Sequence, residues 1–403
     1  MIAPIIVGVA GYQLNLIEKK LLAHPHLGGV ILFARNYQSK QQIKELISSI
    51  QAVRYKQNLA PAIIAIDHEG GTVQRLAGPE FTCLPSAEEI GELYQVNAKL
   101  AINLIENVAT VTAYELGDLG VQVCMGPVLD LTPKIPAKIS SRCYSSENSV
   151  ITTLAKVYIS ALQSNGLIAV PKHFPGLANQ VSDTHYNISL SNISLDELIK
   201  HETYPYQELI REGLLKIIAL SHQIYSNVDD NPPAGSEKWL KDILRGQFKF
   251  KGLIMTDCLQ MSSAAVMGMH LKTRITKALK SGCNLILCSH VCDGHYKEIY
   301  SALSDKALDS LVTENFEVSS NEGKYNLSNT EYLTAVKNII EFQSYKDKSS
   351  DTRIKASKLL LMFIKKNSLL RRLKSTKAWD YIVFIIYRLM LIKNKLKEKI
   401  KWI

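Results

Sequence analysis

The chain has 403 residues, of which 46% are hydrophobic and 21% charged, a balance that supports a packed core and excludes wholesale disorder. Its formal charge of +10 is uneven: residues 351–403 hold fifteen Lys/Arg against three Asp/Glu, a net +12, leaving −2 for residues 1–350. A near-neutral body argues against nucleic-acid binding by the main domain and assigns the basicity to a tail.

In chain order, Met1–Ala10 has no basic leader and stops at Gly11-Tyr12-Gln13, so it reads as a first core strand and not a signal peptide. Short β-rich apolar runs then recur at Pro4–Val9, Gly29–Phe33, Ala62–Ile66, Val121–Met125, Leu167–Val170, Lys216–Leu220, Gly252–Met255 and Asn284–Cys288. Segments with three-to-four-residue apolar spacing separate them, including Gln41–Val53, Leu100–Leu116 and Ile151–Leu162. Ser194-Leu-Asp-Glu197 is a capping box opening another helix; Pro205 restarts it and Gly213 stops it. Eight strands alternating with helices predict an α/β fold, a (β/α)8 TIM barrel, in which chemistry gathers at the C-terminal strand ends. A doubly wound sheet is the rival, but no Gly-x-Gly-x-x-Gly follows the first strand and no Walker lysine loop exists. Gly28-Gly29 and Gly70-Gly71 read as tight-turn glycines.

Seven cysteines, at 83, 124, 143, 258, 283, 288 and 292, form no Cys-x-x-Cys pair. They read as reduced, mostly buried thiols of a cytosolic protein, and neither metal nor other cofactor is expected. No run of eighteen apolar residues occurs, so a spanning helix is not indicated.

Polar residues stand at six of the eight predicted strand ends, the second to the seventh: Arg35-Asn36, Asp67-His68-Glu69, Asp130, Lys172-His173, Ser221-His222 and Asp257. His222 reads as a buried structural donor. Lys172-His173-Phe174-Pro175-Gly176 is followed by Asp183-Thr184-His185, a carboxylate-oriented imidazole facing the rigidly placed Asp257. A proton shuttle opposed to a nucleophile is equipment for splitting an acetal bond.

Taken together, these segments resemble the bacterial β-N-acetylhexosaminidases of glycoside hydrolase family 3. The resemblance runs from about residue 5 to about 300. It is carried by Gly28-Gly-Val-Ile-Leu-Phe-Ala-Arg-Asn-Tyr37, Ile66-Asp-His-Glu-Gly-Gly-Thr-Val-Gln-Arg-Leu76, and Ser141-Arg142 with Tyr144. Lys172–Gly176 with Asp183–His185, Trp239–Arg245 and Ile254–Met261 complete it. The resemblance implies a barrel that removes a terminal β-linked N-acetylglucosamine with retention of configuration. It makes Asp257 the nucleophile, His185 the general acid/base and Asp183 its partner. Asp67, Arg75, Arg142, Lys172 and His173 become the sugar-binding residues. The implied substrate is a cytoplasmic cell-wall turnover product, N-acetylglucosamine joined to 1,6-anhydro-N-acetylmuramic acid with or without peptide.

A histidine acid departs from the two-carboxylate pair of most retaining glycosidases, but imidazole titrates near 6.5, and Asp183 would raise and orient it. The chain departs from the family pattern at Leu177-Ala178, where His-Gly is usual, and at Cys258, where a second acid is usual. Two alternatives stay open: a β-glucosidase or β-xylosidase of the same broad family, and a sugar-binding protein that has lost turnover. Organisation is expected as a hydrolase domain over 1–345 and a basic, partly amphipathic helical tail over 346–403, in a monomer. In the tail, Leu359–Ile364 and Tyr381–Ile392 are apolar among Lys and Arg. Such a tail fits peripheral contact with an anionic membrane or packing on the barrel.

Overall fold

The computed structural model describes residues 3–133, 139–177, 189–290 and 293–305. The expectations made for Ala178, Asp183, His185 and residues 306–403 lie outside these. Eight parallel strands form one sheet: β1 (Ile5–Gly8), β2 (Leu27–Leu32), β3 (Ile63–Ile66), β4 (Val123–Cys124), β5 (Ile168–Ala169), β6 (Ile217–Ala219), β7 (Leu253–Cys258) and β8 (Leu285–Cys288). Each matches one of the eight apolar runs. Their spatial order, β5-β4-β3-β2-β1-β8-β7-β6, is the chain order bent round until β1 meets β8. Every residue of β1, β2 and β8 is buried, as in a parallel sheet covered on both faces, which is why these strands read as continuous apolar runs without alternation.

The ring closes at β5/β6 without a regular ladder. Just past β5 the chain makes a bridge between Phe174 and Leu220. Ala219 donates to the Pro171 carbonyl at 3.0 Å, Phe174 to Ala219 at 2.9 Å and Ser221 to Phe174 at 2.7 Å. On the other side, Leu129 donates to the Lys172 carbonyl at 2.8 Å and Lys172 to Pro127 at 3.1 Å. Residues 171–174 are therefore stitched to both neighbours. Phe174, fully buried, anchors them by edge contacts with Tyr206 at 5.3 Å, Trp239 at 6.0 Å and Phe248 at 6.3 Å between centroids.

Helices cover the outside. Lys40–Lys56 starts where the Ser39 hydroxyl accepts from the Gln42 amide, and turns Ile43, Leu46, Ile47 and Ile50 inward at helical spacing. Ser194 and Glu197 make the expected capping box on Leu195–Lys200; Pro205 lies in the first turn of Tyr204–Arg211, and Gly213 follows it at φ +72°. Lys238–Gln247 is a wide, π-type helix with Trp239 buried inward.

The glycine pairs divide. Gly70 and Gly71, at φ +93° and +54°, turn a small antiparallel hairpin of His68–Gly70 with Val73–Gln74. Gly28 and Gly29, expected in a tight turn, instead lie inside β2. A Cβ on Gly28 would overlap the Ala3 carbonyl, and one on Gly29 the Ile63 carbonyl. Close backbone approach to the flanking chain requires them there, so turn chemistry was the wrong reading.

Candidate active site

At the C-terminal ends of the strands a cavity of about 270 Å³ is lined by Asp67, Glu69, Arg75, Arg142, Lys172, His173 and Asp257. Six of the eight residues singled out in the sequence thus meet in one place. The other two, Asp183 and His185, lie outside the described residues. Apolar side chains, among them Phe33, Met125 and Met261, line it too, together with Ser289 and His290.

Asp257 owes its position to an irregular strand end. Met255 pairs with Leu285 but Cys258 pairs with Leu287, so β7 carries one more residue than β8 over this stretch. That is a bulge, and bulges re-aim side chains. The Leu287 amide bonds the Thr256 hydroxyl at 3.0 Å, and the Ser289 amide bonds the Cys258 sulfur at 3.3 Å. The Asp257 carboxylate also accepts from the Cys258 amide at 2.7 Å. Behind it the buried His222 lies 3.1 Å from the Cys258 carbonyl through Nε2. Burial lowers the His222 pKa, which favours the neutral ring donating from Nε2; this histidine supports the strand end and does not line the cavity.

A charged network forms one wall. The Lys172 ammonium touches Asp67 at 2.7 Å and Glu69 at 2.6 Å. Arg142 grips Glu69 through Nε at 2.8 Å and Nη2 at 2.9 Å, and Arg75 reaches Asp67 at 3.4 Å. Burial works against the charge on Asp67, but Lys172 and Arg75 overcome it and hold the carboxyl well below its usual range. The same contest on Glu69 is won by Lys172 and Arg142. Lys172 is correspondingly raised by the two acids despite its burial. All three groups are therefore ionised at neutral pH. The hairpin after β3 explains how Arg75 returns to Asp67, and Arg75 also lies 5.5 Å from the Phe33 ring.

His173 Nδ1 is 2.7 Å from the buried Asp130 carboxylate. This contact occupies Nδ1 and leaves Nε2 as the ring atom free to meet a ligand in the cavity.

Two contributors, Glu69 and Asp130, stand among the strand-end acids of the sequence but carry no individual role there. For Glu69 the signal was present: residues two apart in extended chain face the same way, so a lining Asp67 implies a lining Glu69. Among the described residues, no group of three or more His, Cys, Asp or Glu is arranged to hold a metal ion.

A parallel barrel with opposed charges and a ring-sized cavity at its strand ends has the makings of a glycoside hydrolase. The family model described as the glycosyl hydrolase family 3 N-terminal domain matches residues 6–316. A beta-hexosaminidase of Nitrosomonas eutropha is 40% identical over 286 residues, covering 71% of this chain and 80% of the relative. One from Psychromonas ingrahamii is 40% identical over 285 residues, covering 70% and 82%. Among solved structures, native NagZ from Neisseria gonorrhoeae superposes with a TM-score of 0.71 at 29% identity, covering 84% of this chain and 97% of that one. The same enzyme has been solved in complex with N-trifluoroacetyl-D-glucosamine. The chain belongs to glycosyl hydrolase family 3, as a bacterial β-N-acetylhexosaminidase.

Proposed function

We propose that the enzyme is a retaining exo-β-N-acetylglucosaminidase of peptidoglycan turnover. It releases terminal N-acetylglucosamine from fragments that continue into 1,6-anhydro-N-acetylmuramic acid, with or without peptide. Asp257 attacks the anomeric carbon and forms a glycosyl-enzyme. His185, oriented by Asp183, protonates the leaving oxygen and then activates water, a proton-transfer contribution of typically about 10²–10⁴-fold. Asp67, Arg75, Arg142, Lys172 and His173 bind the sugar hydroxyls, where ionised and multi-donor groups give directional bonds. The carrying observation is the Asp257 carboxylate at the end of β7, in the same small cavity as those five residues. About 270 Å³ suits a single substituted ring, which supports exo action. An N-acylglucosamine bound to the Neisseria enzyme supports the sugar.

Two assays test this reading. The enzyme should hydrolyse p-nitrophenyl β-N-acetylglucosaminide far faster than the β-glucoside, and proton NMR should show the β-anomer released first. Equal rates on both glycosides would favour the β-glucosidase alternative, and a first-formed α-anomer would remove the glycosyl-enzyme.

Among the described residues no helix is long and apolar enough to cross a membrane. The proposal places the enzyme in the cytoplasm as a monomer, with residues 346–403 making peripheral contact with anionic lipid.

A further inference from the structure

Glu69 stands outside the roles assigned above, yet it is the side chain on which two sugar-binding cations converge. Its side chain is 6% exposed, against 21% for Arg142 and 5% for Lys172. One oxygen, Oε1, receives both Lys172 Nζ at 2.6 Å and Arg142 Nη2 at 2.9 Å, while Oε2 takes Arg142 Nε at 2.8 Å. The Arg142 bonds form a two-pronged grip, which fixes the plane of a guanidinium as well as its distance.

Backbone support is unequal between the two cations. Lys172 is stitched into the barrel seam and keeps Asp67 as a second partner. Arg142 sits on a one-turn helix, Ser140–Arg142, outside the sheet. Among the described residues, its side-chain hydrogen bonds go to Glu69, through Nε and Nη2. Without that carboxylate, Arg142 and Lys172 would face each other as like charges in a largely dry wall, and Arg142 would swing away.

We propose that Glu69 is the positioning residue of the sugar-binding wall, setting Arg142 against Lys172 at the spacing the N-acetylglucosamine hydroxyls require. This rests on the reading that those cations bind the sugar. Glu69 acts through Arg142 above all, so the two residues form one functional unit.

The test uses the full-length enzyme, its Glu69→Gln, Glu69→Asp and Arg142→Ala variants, and the Glu69→Gln/Arg142→Ala double variant. KM and kcat are measured on p-nitrophenyl β-N-acetylglucosaminide, Kd for N-acetylglucosamine by calorimetry, and thermal midpoints alongside. Glu69→Gln should raise KM and Kd by at least about tenfold, with a smaller change in kcat, since a charged hydrogen-bond partner is lost. Glu69→Asp, which keeps the charge, should recover part of that loss. In the Arg142→Ala background Glu69→Gln should add less than about twofold, because partners in one network are not additive. A purely structural Glu69 would lower the midpoint while leaving KM and Kd unmoved. The proposal is overturned if KM and Kd for Glu69→Gln stay within twofold of wild type, or if its cost adds in full to that of Arg142→Ala. Should Glu69→Gln fail to fold, Glu69→Asp decides alone: unchanged KM and Kd overturn the proposal. A wild-type enzyme that turns over while Glu69→Gln matches it refutes the positioning role only. A wild type that neither hydrolyses the glycoside nor binds N-acetylglucosamine refutes the functional reading and this proposal with it.

Discussion

Replacing Lys172 by Met would delete the charge between Asp67 and Glu69 while keeping much of the side-chain volume. Removing one partner of a buried ion pair typically costs about 3–5 kcal/mol, because the other is left uncompensated. Here both acids keep an arginine, Glu69 through the double contact with Arg142 and Asp67 through Arg75 at 3.4 Å. The lower end, about 3 kcal/mol at pH 7, is therefore expected. Its pH dependence follows from the depressed pKa values of Asp67 and Glu69. Groups depressed in the folded state contribute stability that is present above their unfolded value, near 4, and lost as pH falls through the folded value. Without Lys172 the depression shrinks, so the variant has less of this stability to lose on acidification. The difference between the proteins should then stay level from neutral pH to about 4 and narrow below it. Urea unfolding at pH 7, 4.5 and 3, followed by circular dichroism, measures it. A cost below about 1 kcal/mol at pH 7, or one no smaller at pH 3 than at pH 4.5, would refute the reasoning.

Further outcomes are expected elsewhere. Asp257→Ala should abolish turnover with the fold intact; more than a hundredth of wild-type activity with sugar binding unchanged would reject it as nucleophile. His185→Ala should slow poor leaving groups most and activated aryl groups least, and equal losses along the series would deny it the acid role. Burial, reinforced by Asp130, pushes the Glu202 carboxyl up to about 8, so stability falls as pH rises from its unfolded value near 4.3 through 8. Glu202→Gln should remove that slope and gain on the order of 3 kcal/mol at pH 8.5 relative to pH 5, read from denaturant midpoints. Cutting the chain near residue 350 should abolish co-sedimentation with anionic vesicles while hydrolysis of a soluble substrate persists; an inactive truncated protein would mean that the tail supports the barrel.

The barrel was legible because its strands are buried on both faces, which leaves runs such as Ile63–Ile66 apolar from end to end. Strand ends were legible as well, since an acid after such a run has few other reasons to be there. Partnership was harder to see. Nothing between Asp130 and His173 in sequence announces a 2.7 Å contact across two strand ends. Glu69 hid behind a two-residue alternation that is easily lost at the start of a hairpin. Gly28 and Gly29 misled because a glycine pair signals turns more often than close approach, and only the neighbouring carbonyls of Ala3 and Ile63 distinguish the two.

Lys172 and His173 line the cavity, and they lie within the segment 171–174 that closes the cylinder between β5 and β6. The sugar-binding role proposed for Lys172 and His173 and the mechanical closure thus share one short segment. Amide exchange at Phe174 and Ser221, whose N–H groups make this join, becomes a joint gauge of integrity and competence. A ligand gripping Lys172 and His173 would also bar the strand gap from opening, so sugar binding should slow exchange there more than at β2, on the opposite wall. The least regular join of the barrel would then be tightened by the sugar proposed to bind beside it.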